Sequence, residues 1–171
     1  MAFTFGEPTP VLDGRDILEL LEVYQHDGYY EPPISLNGLA KSLRASAYHG
    51  SALFWKINKL CSHYNAHALL PVNEFKKLAT DFLVFANAYV ERVDNRLGQT
   101  LALHRSPALH TRLGTDGNYL FLKGWQKKHH FAPGSVFHLL EPDVSQERYG
   151  VPQYMGALHS AWLDEAATLF R

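Results

Sequence analysis

Three neighbouring residues, Cys61, His63 and His67, have side chains that can bind a metal ion. Thiolate sulfur and imidazole nitrogen are the ligands that Zn²⁺ prefers in proteins. On one continuous helix His63 and His67 would share a face, because residues four apart lie one above the other. Asn65 and the sequence Leu69-Leu70-Pro71 indicate that the helix frays there, and no second ligand pair of matching spacing follows. The sequence therefore favours the alternative, that these are polar residues at a helix end.

A second candidate is the basic sequence Lys127-Lys128-His129-His130, which lies between Trp125 and Phe131. Lysines beside aromatic rings are typical of surfaces that contact phosphates and stack on bases, so Lys127 and Lys128 are candidates for nucleic-acid contact. The alternative is a solvent-exposed loop between two strands. We favour the loop, because the pair is isolated in a chain of net charge −1.

Signatures of the common enzyme classes are missing from the sequence. No two glycines form a GxG, and neither a Gly-Lys-Ser/Thr, a GxSxG nor an HExxH occurs. Glu141 and Asp143 flank Pro142, and Asp164-Glu165 lies in a predicted helix, but general acid–base chemistry needs a carboxylate in a pocket, and no pattern indicates one. We therefore expect no catalytic residue, no cofactor and no enzyme activity.

Composition indicates one globular domain. The chain has 171 residues, of which 46% are hydrophobic and 19% charged, with a net charge of −1. This balance excludes a strongly basic DNA-binding domain, and the single cysteine excludes an internal disulfide. The most apolar run, residues 82–90, is about half of the roughly 20 residues that a membrane span needs. We expect a soluble protein, inside the cell or in a particle, with no membrane contact.

Residues 1–34 differ from the rest, because they contain four prolines and far more acids than bases. Asp13 can cap a short helix, with Ile17, Leu18 and Leu21 on one side, which Gly28 would end. Residues 29–33 are predicted to be extended, because they precede and include a proline pair. We interpret residues 1–34 as an extended and helical arm that lies across a neighbour.

Residues 35–171 are predicted to form an α+β domain, helical at first, followed by a small and mostly antiparallel sheet and a C-terminal helix. Ser35 is the expected N-cap of the first helix, Gly50-Ser51 the break before the second, and Asn73 the N-cap of the third. At Asn87 the period changes from helix to strand. Strands are expected at 89–93 and 99–104, joined as a hairpin, and at 119–122 and 135–140, with the last helix beginning near Pro152.

Four motifs in order resemble those of capsid portal proteins, the head-tail connectors of temperate contractile-tailed bacteriophages and prophages. They are Tyr29 to Arg44, Asp81 to Glu91 with a "GNAY" element, Pro133 to Asp143 with a strand ending near His138, and the "GxPxY" of residues 150–154. Ala86 stands where the "GNAY" element usually has glycine. We interpret that alanine as extending the preceding helix by one residue.

The resemblance implies a structural protein and the N-terminal half of a longer one, with residues 35–171 as the wing-like region. The full protein would form a dodecameric ring at one capsid vertex of the virion, assembled in the host cytoplasm. Its expected partners are terminase, capsid and scaffold proteins, head-completion proteins and the double-stranded DNA that passes through the ring. A near-neutral chain suits such a conduit, because many phosphate contacts would hold the DNA.

Two alternatives stay open at this point. The last predicted helix runs to Arg171 without a glycine stop, which is compatible with a truncated, prophage-derived interaction module that binds portal subunits or interferes with their assembly. The other alternative is a small metal-dependent enzyme built on Cys61, His63 and His67.

Overall fold

The computed structural model describes residues 23–45, 47–124, 127–144 and 146–169. Its helices are α1 (Leu36–Ala45), α2 (Ala47–His63), α3 (Val72–Phe85) and α4 (Leu158–Leu169), the last preceded by a 3₁₀ helix at Gln153–Ala157. Its strands are β1 (Gln25–His26), β2 (Tyr29–Tyr30), β3 (Asn87–Asp94), β4 (Thr100–Ser106), β5 (Thr111–Gly114), β6 (Tyr119–Lys123), β7 (Lys127–His130) and β8 (Val136–Leu140). The predicted α+β fold is confirmed.

The first helices differ from the predictions at one boundary. The Ser35 cap is confirmed, because the Gly38 N–H lies 3.2 Å from Ser35 Oγ. The predicted break at Gly50-Ser51 is wrong, because both residues lie inside α2. A Cβ on Gly50 would lie 2.5 Å from the carbonyl oxygen of Leu43, so this glycine lets α1 and α2 approach closely and does not end a helix.

The third helix begins earlier than predicted. Pro71, and not Asn73, takes the N-cap position of α3, and its carbonyl accepts hydrogen bonds from the N–H groups of Glu74 and Phe75, each at 3.0 Å. Proline suits the start of a helix, because the N–H that it lacks would have no partner within the helix there.

The end of α3 corrects the interpretation of Ala86. The helix stops at Phe85, and Ala86 adopts the left-handed conformation, with φ 57°. A left-handed residue costs about 1–2 kcal/mol when it carries a Cβ, which is why glycine commonly follows a helix. The alanine does not extend the helix but occupies a strained turn that directs the chain into β3.

We expect Ala86→Gly to raise the free energy of unfolding by about 1 kcal/mol, because it relieves this left-handed strain. Ala88→Gly is the matched control, since Ala88 lies buried in β3, where glycine costs about 1 kcal/mol through added chain entropy and a lost methyl contact. Urea unfolding of both variants measures the effect. Destabilisation of both to the same extent would contradict the assignment of the left-handed turn.

The strands form two antiparallel sheets, where the sequence indicated one. The predicted hairpin is confirmed as β3–β4, and β8 pairs with the other edge of β3, in the order β4-β3-β8. The second sheet has the order β1-β2-β5-β6-β7. Residues 127–130, expected to be a loop, form its edge strand β7, whose polar sequence fits a strand paired on one side only.

The arm prediction is partly outside the described residues. The helix predicted after Asp13 lies in 1–22, but residues 25–30 form the hairpin β1–β2, in which Gly28 is a turn residue and does not end a helix. The extended conformation expected at 29–30 is present, and β2 pairs with β5 of the same chain. The boundary at residue 34 stays a prediction.

The main core lies between the helices and strand β3. Its buried members come from the chain before α1, from α1, α3, β3, the turn after β4, the 3₁₀ helix and the start of α4: Ile34, Leu36, Leu39, Val84, Phe85, Tyr89, Ala108, Met155 and Leu158. Among the described residues, no helix is both long and apolar enough to cross a membrane.

Candidate functional site

The proposed metal ligands are not arranged on one helix. α2 ends at His63, so His67 lies in the following loop, where its Nδ1 accepts a hydrogen bond from the Leu69 N–H at 3.2 Å. His63 Nδ1 lies 2.9 Å from the Lys59 carbonyl oxygen and therefore donates to it. Within the described ranges, no three His, Cys, Asp or Glu side chains come together in a way that could hold a metal ion.

The lysines proposed for nucleic-acid contact lie in β7. The Lys128 ammonium forms an ion pair with Asp27 in the β1–β2 turn and lies 5.6 Å from the centre of the Tyr29 ring. This ion pair is the leading cause of the lowered pKa of the Asp27 carboxyl. Lys128 thus links the edge strand to the N-terminal hairpin, and a role of Lys127 and Lys128 in phosphate contact stays a prediction.

The motifs found in the sequence meet at one buried polar side chain, Asn87, the first residue of β3. Its Nδ2 donates to the carbonyls of Phe85, at 2.7 Å, and Gly150, at 3.0 Å. Its Oδ1 accepts from the Gly150 N–H, at 2.8 Å, and from His138 Nε2, at 2.9 Å. The side chain therefore holds together the end of α3, strand β8 and the segment that leads to the last helix. We call Asn87, His138 and Gly150 the polar node.

His138 is held neutral in the node. Burial lowers the pKa of its imidazole to about 4. Because Asn87 Oδ1 can only accept, the proton of neutral His138 resides on Nε2. The ring stacks on Tyr89, with 4.2 Å between the ring centres, and meets the edge of Tyr119. The imidazole thus combines one hydrogen bond with an aromatic packing surface.

Two tyrosines of the "GxPxY" region extend the node to other elements. Tyr149 Oη donates to the Tyr30 carbonyl at 2.5 Å and accepts from the Leu113 N–H at 3.0 Å, which joins β2 to β5. Tyr154 Oη donates to the Val84 carbonyl in the last turn of α3 at 2.5 Å. Burial raises the pKa of Tyr149 to about 12 and also raises the pKa of Tyr154, so both hydroxyls stay protonated donors.

Gly150 fits the node because it has no side chain. A Cβ placed there would lie 2.1 Å from the Ala86 carbonyl oxygen and 2.6 Å from the Glu141 nitrogen. Those two atoms belong to a hydrogen bond of 2.9 Å, from the Glu141 N–H to the Ala86 carbonyl. The segment before the last helix therefore packs directly on the backbone at the end of α3.

An ion pair between the buried Asp81 and the partly exposed Arg105, which no sequence motif indicated, holds α3 against β4. Asp81 is 1% exposed and accepts two bonds from Arg105: Nε to Oδ2 at 2.7 Å and Nη2 to Oδ1 at 2.6 Å. The Ala108 N–H also donates to Asp81 Oδ2, at 3.1 Å. The available signal was an acid among the buried positions of α3, between Leu78 and Val84, because buried carboxylates are almost always paired.

These polar contacts connect helices and strands, and they leave few side-chain atoms that could act on a substrate. The amide of Asn87 and both carboxylate oxygens of Asp81 are bonded to atoms of the protein itself, and the His138 proton is used within the node. General acid–base catalysis needs a group that reaches a substrate, which these buried side chains do not. The arrangement is that of a structural junction.

The node makes stability depend on pH. The folded-state pKa of His138 is lowered to about 4 from an ordinary value of 6.5, so its contribution is fully present above pH 6.5 and is lost as the pH falls towards 4. We expect this residue alone to remove about 3 kcal/mol of the free energy of unfolding across that range. Urea unfolding at several pH values, compared with His138→Gln, measures it. Equal pH slopes in both proteins would contradict a neutral, buried His138.

The chain is similar in sequence to phage proteins. It is 50% identical over 171 residues to the "Probable portal protein" of Escherichia phage P2, covering 99% of this chain and 50% of that protein. It is 28% identical over 148 residues to the "Probable portal protein" of Haemophilus phage HP1 (strain HP1c1), covering 83% of this chain and 43% of that protein. The chain thus spans about half the length of the curated relatives it matches. No protein-family profile matches it.

Chains in solved structures of gene transfer agent particles share the fold. A chain of the virion of a native gene transfer agent particle matches with a TM-score of 0.67 at 17% identity, over 91% of this chain and 48% of that one. A chain of the native particle's neck, computed with C12 symmetry, matches with a TM-score of 0.64 at 18% identity, over 77% and 43%. The resemblance to portal proteins that the sequence motifs indicated is confirmed.

Proposed function

We propose, on the premise of this similarity to phage portal proteins, that the chain is a structural and non-enzymatic subunit of a portal-type ring. The observation that carries the proposal is the 50% identity to the probable portal protein of phage P2, which extends over the whole chain. The ring would occupy a capsid vertex of the virion, where it serves DNA packaging and ejection, docks the terminase and joins head to tail.

The polar contacts support a structural role. The motifs that resemble those of portal proteins include Asn87, His138 and Gly150. The hydrogen bonds of these residues hold helices and strands together. A buried hydrogen-bond network whose groups are all paired specifies one packing arrangement and makes the junction rigid. A subunit that bears load in a ring needs such a rigid junction. The net charge of −1 supports a conduit, since a chain that neutralised many phosphates would hold DNA in place.

Co-expression with the full-length relative from phage P2 tests the proposal. We expect an affinity-tagged copy of this chain to co-purify with the relative in mixed oligomers, because identical residues at half of all positions preserve matching interfaces. The tagged Asp81→Ala variant, which we expect to fold poorly, controls for nonspecific adhesion. Folded, tagged chain that recovers no relative would contradict the proposal.

A further inference from the structure

One face of α2 combines exposed apolar side chains with basic ones. Trp55 is 67% and Leu60 45% exposed. A shallow groove between α2 and α3 borders this face and is lined by Trp55, Lys56, Lys59, Leu60, His63 and Leu83. We call this surface the α2 face. Large aromatic groups left in water are unfavourable, so such a patch indicates an interaction site.

The charge carried by α2 itself has one sign. The sequence contains no acidic residue between Glu31 and Glu74, although the whole chain has 17 acids against 16 bases. Among the described residues, neither Lys56 nor Lys59 forms an ion pair with a carboxylate. Glu141 lines an adjoining groove with Lys56 and accepts a hydrogen bond from Gln153. The α2 face therefore suits an occupant that is both acidic and apolar.

Residues 1–22 of the chain have that composition. They contain five acids, Glu7, Asp13, Asp16, Glu19 and Glu22, against the single base Arg15. Ile17, Leu18 and Leu21 follow helical spacing and supply an apolar side next to those acids. From this complementarity we propose that residues 1–22 of a neighbouring copy dock on the α2 face.

The docking partner is placed on a neighbouring copy and not on the same chain. Chains with this fold occur in particle necks computed with C6 and C12 symmetry. The choice of a neighbour rests on the proposed ring, in which each subunit would pass its acidic segment to the next.

Nucleic acid fits the α2 face less well. Lysines and an exposed tryptophan are compatible with phosphate contact and base stacking, but Leu60 and Leu83 add apolar area that a phosphate backbone would not cover. An amphipathic acidic segment covers both the apolar and the basic parts of the surface.

Zero-length carbodiimide cross-linking tests the proposal on the full chain. The reagent joins a lysine amine to a carboxylate that lies in contact with it, and an equal mixture of isotopically heavy and ordinary protein distinguishes links between copies from links within one. We expect mixed-isotope peptides that join Lys56 or Lys59 to an acid of residues 1–22. Their yield should fall about tenfold near 1 M salt, where the Debye length is about 3 Å.

Charge reversal supplies a second measurement that does not use the cross-linking reaction. We expect Lys56→Glu/Lys59→Glu to weaken self-association about tenfold, and the added pair Glu19→Lys/Glu22→Lys to restore it. Arg96→Glu, an exposed charge reversal in the β3–β4 turn, is the control and should leave association unchanged.

The outcomes separate this inference from the proposed function. If oligomers form without these cross-links, the docking proposal is wrong and the proposed portal-type assembly is unaffected. Links found only within one chain overturn the exchange between copies. A duplex DNA that binds the chain through Lys56 and Lys59, with no cross-links to residues 1–22, overturns the inference in favour of nucleic acid. A chain that neither associates nor cross-links contradicts both proposals.

Discussion

Replacing Gly150 with alanine should lower the free energy of unfolding by about 4 kcal/mol, through overpacking and the loss of buried hydrogen bonds. The new methyl group would have to lie 2.1 Å from the Ala86 carbonyl oxygen and 2.6 Å from the Glu141 nitrogen, both of them backbone atoms that cannot rotate away. The segment must therefore move, and the movement separates the Gly150 backbone from Asn87. The node and the attachment of the last helix would be lost together.

Gly156→Ala is the matched control for this substitution. A Cβ at Gly156, in the 3₁₀ helix a few residues further on, meets no atom within 4 Å. We expect that variant to unfold at nearly the same urea concentration as the original chain, because surface substitutions of this kind change stability by about 0.5 kcal/mol or less. Equal stability of the Gly150→Ala and Gly156→Ala proteins would refute the close approach at Gly150.

The second large effect is expected from Asp81→Ala, which should cost about 3 kcal/mol, at the lower end of the loss for a broken buried ion pair, because the Arg105 side chain left behind is 25% exposed. The Arg105 guanidinium would lose both of its bonds to the carboxylate, and the Ala108 N–H would lose its acceptor. The hydrogen bond from the Arg105 N–H to Glu74 Oε2, at 3.2 Å, would still join α3 to β4. Urea unfolding monitored by circular dichroism measures the loss.

A double variant separates the ion pair from the packing around it. In Asp81→Ala/Arg105→Met the unpaired cation is gone, and an apolar side chain takes the place of the arginine stem. We expect the double variant to be more stable than Asp81→Ala alone, because part of the cost is that of a partly buried charge without a partner. A double variant that loses the full sum of both single effects would contradict this explanation.

Local patterns in the sequence predicted much of the fold. The α1 cap at Ser35, the apolar spacing of α3 and the β3–β4 hairpin all depend on residues near one another in the chain. The strand β5 was missed because it has only four residues, and β7 because its sequence Lys-Lys-His-His has no apolar alternation. Both strands form because β6 can pair along each of its two edges. The local sequence of β5 or of β7 does not show that this pairing partner is present.

The candidate site was predicted in its parts and not in its arrangement. The motifs around Asn87, His138 and Gly150 were recognised, yet nothing local indicates that residues 51 and 63 positions apart in the chain share one amide group. Ala86 shows the same limit, because alanine favours helices and the sequence therefore predicted a longer one. The requirement that β3 starts at Asn87, beside Gly150, overrides that preference and forces the left-handed turn.

The mass of the assembled chain in solution tests the central claim, that this is a subunit of a portal-type ring, most directly. Size-exclusion chromatography with light scattering, over a wide range of protein concentration, gives that mass without reference to shape. From the proposed ring we expect a single closed species at twelve times the 19.4 kDa chain mass. A strict 19.4 kDa monomer at every concentration would contradict ring formation by this chain.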